Sequence, residues 1–386
     1  MRLSRSVVGE DEANAVSKVI TENGYLGMGT VAREFENAIA RYIGIEPWQV
    51  ISVNSGTAAL HLACQTVYIQ EQEKIRNLDG KPEIIIPSLT FVASFQAARA
   101  AGFKTVPCDV LLETGTMDLN DVQRRINKNT VAIMPVDYAS NPWKLDETYA
   151  FASKNGLRVV EDAAHAFGCK HHRKKIGSFG DLVCFSFDGI KNITCGEGGC
   201  IIAFQKDAAT LCADARLLGV KGDTAKRFAG ARSWDPDVVH QGWRYHLSNI
   251  MAAIGIVQLK RLETEFIPAR RRLYELYRQK LSDIENVAFF VTDPDDFIVP
   301  HILPLRILEE KRQLVANDLQ ARGIPTGMHY KPNHLLSLFG GGANRLPNVE
   351  KLYGELLTVP LHPCLADEDV ILVCDEIKKV LGARNA

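Results

Sequence analysis

Leu157–Gly168 reads LRVVEDAAHAFG, and Ser186–Gly199 reads SFDGIKNITCGEGG. The first stretch is a short apolar run that ends in acids. The second leaves an apolar run for a glycine-rich loop carrying Lys191. Short continuous apolar runs bounded by turn residues are the pattern of buried strands. Two such strand ends side by side present Asp162 and Lys191 to one crevice, where open α/β sheets collect their ligands. Outward from this point the texture repeats. Val50–Val53, Glu83–Ile86, Val131–Pro135, Leu182–Ser186 and Cys200–Phe204 are further strand-like runs, separated by helical patterns. The alternation predicts an α/β fold whose mainly parallel sheet is covered by helices on both faces. A helical pattern from Ser248 to Lys280, interrupted at Pro268, leads out of this region. Extended runs at Asn286–Val291 and Ile298–Leu305 follow, with helices near Lys311–Arg322 and Asp367–Leu381. The expected domains are a large one over 1–260 and a smaller α+β one over 261–386.

A carboxylate and a lysine at adjoining strand ends are what pyridoxal phosphate requires. Its pyridine ring draws electrons best when the ring nitrogen is protonated, and a carboxylate beside that nitrogen keeps the proton there. Asp162 is the candidate. The aldehyde must be held on an amine that can leave, return and carry protons, a task for a lysine of tunable pKa. Lys191 is the candidate. Ser55–Leu60, SGTAAL, follows a strand and opens a helix, an arrangement that aims backbone amides and hydroxyls at an anion.

These segments resemble, in order and over nearly the whole chain, the DegT/DnrJ/EryC1/StrS family of nucleotide-sugar aminotransferases. GYLGMG at Gly24–Gly29, PSLTFVAS at Pro87–Ser94 and PLHP at Pro360–Pro363 add to the likeness. The resemblance implies the PLP-dependent fold type I, aspartate aminotransferase-like, with a seven-stranded sheet in the large domain. It also implies that Gly56, Thr57 and Ser186 face the cofactor phosphate and that Phe91 stacks on the pyridine ring. His165 then lies near the phenolic oxygen, and His329 and Tyr330, in TGMHYKPNH, lie by the sugar nucleotide. Gly242–Gly255, GWRYHLSNIMAAIG, is similar to the segment that reaches the partner subunit's cofactor phosphate in a homodimer. Relatives commonly carry asparagine where this chain has Arg244, which as a guanidinium can still bind phosphate.

The activity so implied is transfer of an amino group from L-glutamate to the 4-keto carbon of a nucleotide-linked 4-keto-6-deoxyhexose, with dTDP-4-keto-6-deoxyglucose as the leading substrate. EDAAHA around His165 is associated with amination at C4 and EDAAQA with amination at C3, so a C3 enzyme is the alternative. A non-catalytic binding or regulatory homologue is the alternative of another class, which Asp162, Ser186 and Lys191 argue against. A sugar dehydratase of the same fold would carry histidine in place of Lys191. Polysaccharide and antibiotic sugar synthesis both suit the family.

With 386 residues and 46% hydrophobic content the chain can bury a large core. A net charge of −1 gives no reason to expect nucleic acid or a membrane surface as partner. Nine cysteines without CxxC pairs suit a reducing cytoplasm, and MRLSRSVVGEDE places acids where a signal peptide would need an apolar core. The basic tract Lys170–Lys175, KHHRKK, is read as a solvated hairpin. Its adjacent histidines lack spaced partners, so no metal is expected.

Overall fold

The computed structural model describes residues 1–231, 234–342 and 345–382. In chain order its strands are β1 (Val50–Val53), β2 (Glu83–Pro87), β3 (Lys104–Cys108), β4 (Thr130–Ile133), β5 (Arg158–Asp162), β6 (Lys170–His171), β7 (Lys174–Lys175), β8 (Leu182–Ser186), β9 (Gly199–Ala203), β10 (Val287–Ala288), β11 (Leu303–Ile307) and β12 (Leu356–Val359). Seven of them form one sheet in the order β1-β9-β8-β5-β4-β2-β3. All run parallel except β9, which is antiparallel to both β1 and β8. The expected α/β fold with a mainly parallel, seven-stranded sheet is therefore present. β3 escaped the sequence reading because KTVPC is neither uniformly apolar nor alternating. It pairs only with β2, and the edge position tolerates Pro107, which cannot donate a ladder hydrogen bond.

Helices close both faces. Thr30–Ile43 buries Phe35, Ile39 and Ile43, spaced four apart on one stripe, against the helix Asn249–Arg261, and it stops at Gly44 with φ 91°. Gly56–Gln70 lies in the opposite layer and is buried along nearly its first three turns, Ala58 to Val67. Its start is fixed by the Ser55 hydroxyl, which accepts from the Ala58 amide at 3.1 Å. Beneath it Arg216 donates to Glu36 Oε1 at 2.5 Å and to the Ser52 carbonyl at 2.7 Å, tying the first layer to β1.

Asn249–Arg261 continues through a π-helical turn at Leu262–Phe266 into Ile267–Leu281, whose second residue is Pro268. The interruption thus precedes the proline, which sits in the first turn where its missing N–H is harmless. Beyond it β10, β11 and β12 make a three-stranded antiparallel sheet packed by Ile267–Leu281, Arg312–Ala321 and Asp367–Leu381. The two extended runs expected here are shorter or displaced. Only Val287–Ala288 is strand in the first, where Phe290 instead packs against Tyr138, and the second begins at Leu303. The helix Pro347–Glu355 and strand β12 were not foreseen.

The basic tract is a hairpin, β6 and β7, turning through His172 and Arg173 at φ 44° and 71°. It is more than a solvated loop. His171 Nδ1 meets Asp296 at 2.8 Å and Nε2 meets Asp146 at 3.1 Å. Burial pulls this imidazole down, but the two carboxylates outweigh it and hold the group above its ordinary value. Eight of the nine cysteines are buried and only Cys364 is exposed. Among the described residues no helix is long and apolar enough to cross a membrane.

Candidate active site

The carboxyl edge of the large sheet opens into a cavity of about 380 Å³ lined by residues that follow β1, β2, β4, β5 and β8. It lies where the strand-end argument put it. Gly56, Thr57, Phe91, Asp162, His165, Ser186, Lys191, His329 and Tyr330 all line it. Arg244 does not. It is exposed, on a segment bridged to Leu217, and stays outside its own chain's cavity.

Asp162 ends β5, and its carboxylate is held from two sides. Ser94 Oγ donates to Oδ2 at 2.7 Å and the Ala164 amide to Oδ1 at 3.2 Å. Thr90 Oγ1 stands 2.8 Å behind Ser94. Burial raises the Asp162 pKa, opposed by Ser94, the Ala164 amide and the Lys191 charge. A buried carboxylate under this pressure is poised to share its charge with a protonated base.

Lys191 sits on the loop after β8, fixed where its amide donates to the Asp188 carbonyl at 3.1 Å. Burial lowers its pKa to about 8, with Arg270 acting in the same sense and Asp162 and Asp188 against it. A substantial fraction is therefore free amine just above neutrality, the state a nucleophile or base needs. Its Nζ lies 3.3 Å from Nε2 of His301.

His165 packs on His301 with ring centroids 4.6 Å apart. The Ala139 amide donates to His165 Nδ1 at 3.3 Å, which assigns the ring proton to Nε2, 3.2 Å from the Tyr330 hydroxyl. Burial and the Lys191 charge keep this imidazole neutral. With Nε2–H donating to Tyr330, the tyrosine hydrogen is free for another acceptor. Phe91, 55% exposed, tilts over Tyr330 at 5.5 Å between centroids. His329 Nδ1 lies 2.9 Å from Thr358 Oγ1, and burial with the Lys191 charge lowers its pKa to about 4.

The sequence reading missed Thr90, Ser94, Asp188 and His301. The first two lay inside SLTFVAS, read only for its aromatic ring. A pair of hydroxyls four apart at a helix start was the available signal. His301 had none, because only the tertiary fold brings it to Lys191.

Gly56 supplies a test of fit for the expected cofactor. A Cβ there would stand 2.7 Å from Ser186 Cβ and 2.9 Å from its Oγ. The start of the Gly56–Gln70 helix and the end of β8 thus approach as closely as two backbones with one small side chain allow. Ser55, Gly56 and Thr57 at the helix start and Ser186 line the cavity together, the donor set an anion would need.

Sheets of this strand order with an acid across from a lysine at the carboxyl edge make up the fold type I class of pyridoxal-phosphate enzymes, and the architecture assigns this protein to it. The model of the DegT/DnrJ/EryC1/StrS aminotransferase family matches residues 7–378. The chain belongs to that family and is a pyridoxal-phosphate-dependent sugar aminotransferase. It is 33% identical over 389 residues, 99% of this chain and 97% of the relative, to a dTDP-4-dehydro-2,3,6-trideoxy-D-glucose 4-aminotransferase of Saccharopolyspora spinosa. The solved aminotransferase TlmJ from Streptoalloteichus hindustanus is similar at 28% identity and TM-score 0.89, covering 99% of each chain. DesV of S. venezuelae, solved with a ketimine intermediate, is similar at 28% identity and TM-score 0.83, over 97% of this chain and 95% of that one.

Proposed function

We propose that the enzyme moves the amino group of L-glutamate to C4 of a nucleotide-linked 4-keto-6-deoxyhexose, with dTDP-4-keto-6-deoxyglucose as the leading substrate. The observation that carries this reading is the amine of Lys191, poised near neutrality by burial, in one cavity with the buried carboxylate of Asp162. That the Saccharopolyspora spinosa relative is a 4-aminotransferase supports C4 over C3.

When bound, pyridoxal phosphate supplies an electron sink for the carbon that loses its proton. The chain's own groups do the rest. Asp162 holds a proton at the ring nitrogen, steadied by Ser94 and the Ala164 amide. Gly56, Thr57 and Ser186 hold the phosphate. Phe91 covers the ring. Lys191 Nζ takes the α-proton of the amino donor and, in the opposite direction, gives one to the sugar carbon that receives nitrogen. The neutral His165, through Tyr330, offers a hydroxyl hydrogen to developing negative charge. His329 and Tyr330 flank the sugar nucleotide. The functional unit is a homodimer in which the partner's Arg244 meets the cofactor phosphate, a role for which an exposed guanidinium away from its own cavity is suited. The free thiols suit work in a reducing cytoplasm.

The test is direct. L-glutamate alone should bleach the yellow of the cofactor-loaded enzyme, and a dTDP-linked 4-keto-6-deoxyhexose should restore it while yielding a product with nitrogen on C4 by NMR. Nitrogen on C3, or a yellow protein indifferent to glutamate, overturns the reading. Gly56→Ala is expected to weaken cofactor retention by ~10- to 100-fold, the equivalent of an overpacking cost of ~1–3 kcal/mol. Equilibrium titration of the visible band measures it, and unchanged affinity would remove Gly56 from the cradle.

A further inference from the structure

Arg270 carries a charge in the interior with no acid beside it. It lies in the first turn of the Ile267–Leu281 helix, 2% exposed, and no carboxylate pairs with it among the described residues. Its Nη1 donates to the carbonyl oxygens of Pro300 and His301, each at 3.2 Å, and its Nη2 to that of Lys191 at 3.4 Å. Its Nε finds no partner. A guanidinium buried without a counter-ion is costly, and an apolar side chain would fill the same space more cheaply. Packing therefore gives no reason for an arginine here.

What it grips does give one. The three carbonyls come from two segments far apart in sequence, the Lys191 loop and the stretch leading into β11. That stretch brings His301 Nε2 to the Lys191 amine. The His301 amide donates to Ser140 Oγ at 3.0 Å, and Ser140 Oγ donates to the His165 carbonyl at 2.6 Å, so the same brace reaches the next ring of the site. One planar fork fixes the backbone of Lys191 and the imidazole that touches its side chain.

Charge adds to geometry. Asp162 and Asp188 favour the ammonium form of Lys191, and Glu197 is a third acid in the same cavity. His165, His301 and His329 are all neutral by burial, and Tyr330 keeps its proton for the same reason. Arg270 is a fixed cation beside Lys191 that opposes the acids, and Arg5 shares the small pocket that both line.

We propose that Arg270 is a positioning residue for Lys191: its unpaired guanidinium clamps the Lys191 backbone against the His301 turn, and its charge keeps the amine available in unprotonated form. The proposal rests on Lys191 being the reacting amine. That premise is read separately, by borohydride trapping of the cofactor on the Lys191 peptide of the wild-type enzyme.

The experiment follows acetylation of Lys191 against pH in the full-length, cofactor-free chain, by peptide mass spectrometry, with near-ultraviolet circular dichroism to check the fold. The wild-type midpoint is expected at about 8. Arg270→Gln should raise it by about one unit, cutting labelling at pH 8 about fivefold. Arg270→Lys should hold the midpoint within a few tenths of a unit, yet speed hydrogen exchange of the Lys191 amide about tenfold, because an ammonium cannot span the three carbonyls. An unmoved midpoint in Arg270→Gln, or an equal shift in both variants, overturns the charge effect and with it the proposal. Should Arg270→Gln fail to fold, the exchange rate in Arg270→Lys decides, and a wild-type rate overturns the clamp.

Discussion

Lys191→Ala should abolish amino transfer while leaving the fold and the cavity in place. The loss combines a nucleophile with the group that moves the α-proton, and proton transfer alone contributes ~10²–10⁴-fold, so a fall of at least about 10⁴-fold in turnover is expected. Single-turnover consumption of L-glutamate reads the chemistry. Borohydride reduction reads the attachment, which should fall on the Lys191 peptide of the wild type and on no peptide of the variant. Activity within tenfold of wild type, or attachment at another lysine, would remove Lys191 from the mechanism. Loading should also depend on pH. With a pKa of about 8, Lys191 is mostly ammonium at pH 7, and the free amine that must react becomes dominant above pH 8. The rate of cofactor uptake should therefore climb between those values.

Asp162→Asn should lower turnover by ~10²–10³-fold, the usual loss when one preorganised electrostatic contact to a reacting group is removed. Asparagine keeps the shape, with Oδ1 still accepting from the Ala164 amide and Nδ2 donating to the Ser94 hydroxyl in place of the bond it loses, but it cannot hold a proton on the ring nitrogen. The same substitution should not harm the cofactor-free fold. Burial raises the pKa of Asp162, so its ionised form is less favourable in the folded chain than in the unfolded one. The sign is opposite to that of a salt-bridged acid: this carboxylate costs stability above its unfolded pKa and ceases to do so as pH falls and it protonates. Near neutrality, cofactor-free Asp162→Asn should melt at or above the wild-type temperature. A variant that melts well below wild type yet turns over normally would show that Asp162 serves the core and not the chemistry. Stability lost to function at a site is common in enzymes.

The strands that carry the site were visible in the sequence because they are buried on both faces and therefore apolar throughout. β1, β2 and β8 begin where they were expected, and β5 and β9 are displaced by a single residue. β3 was hidden by its edge position, where Lys104, Thr105 and Pro107 are acceptable. β12, only LLTV, directly follows the Pro347–Glu355 helix and reads as its continuation. In the site, Asp162 and Lys191 were accessible because each ends a strand or the loop beyond one, a local property. His301 and Arg270 lie 110 and 79 residues from Lys191 and reach it only after the helix Ile267–Leu281 folds back on the sheet. No local pattern marks a histidine between two apolar stretches, or one arginine among three in a row.

The distribution of thiols gives this chain a built-in reporter. A buried cysteine reacts only when the structure around it opens, so its modification rate measures that opening. Cys64 in the Gly56–Gln70 helix, Cys184 on β8, Cys200 on β9 and Cys374 in the last helix are all enclosed. A disulfide reagent should thus count one thiol in the native protein, Cys364, and nine after unfolding. The order in which the other eight become reactive would chart whether the large sheet loosens before the C-terminal sheet or together with it.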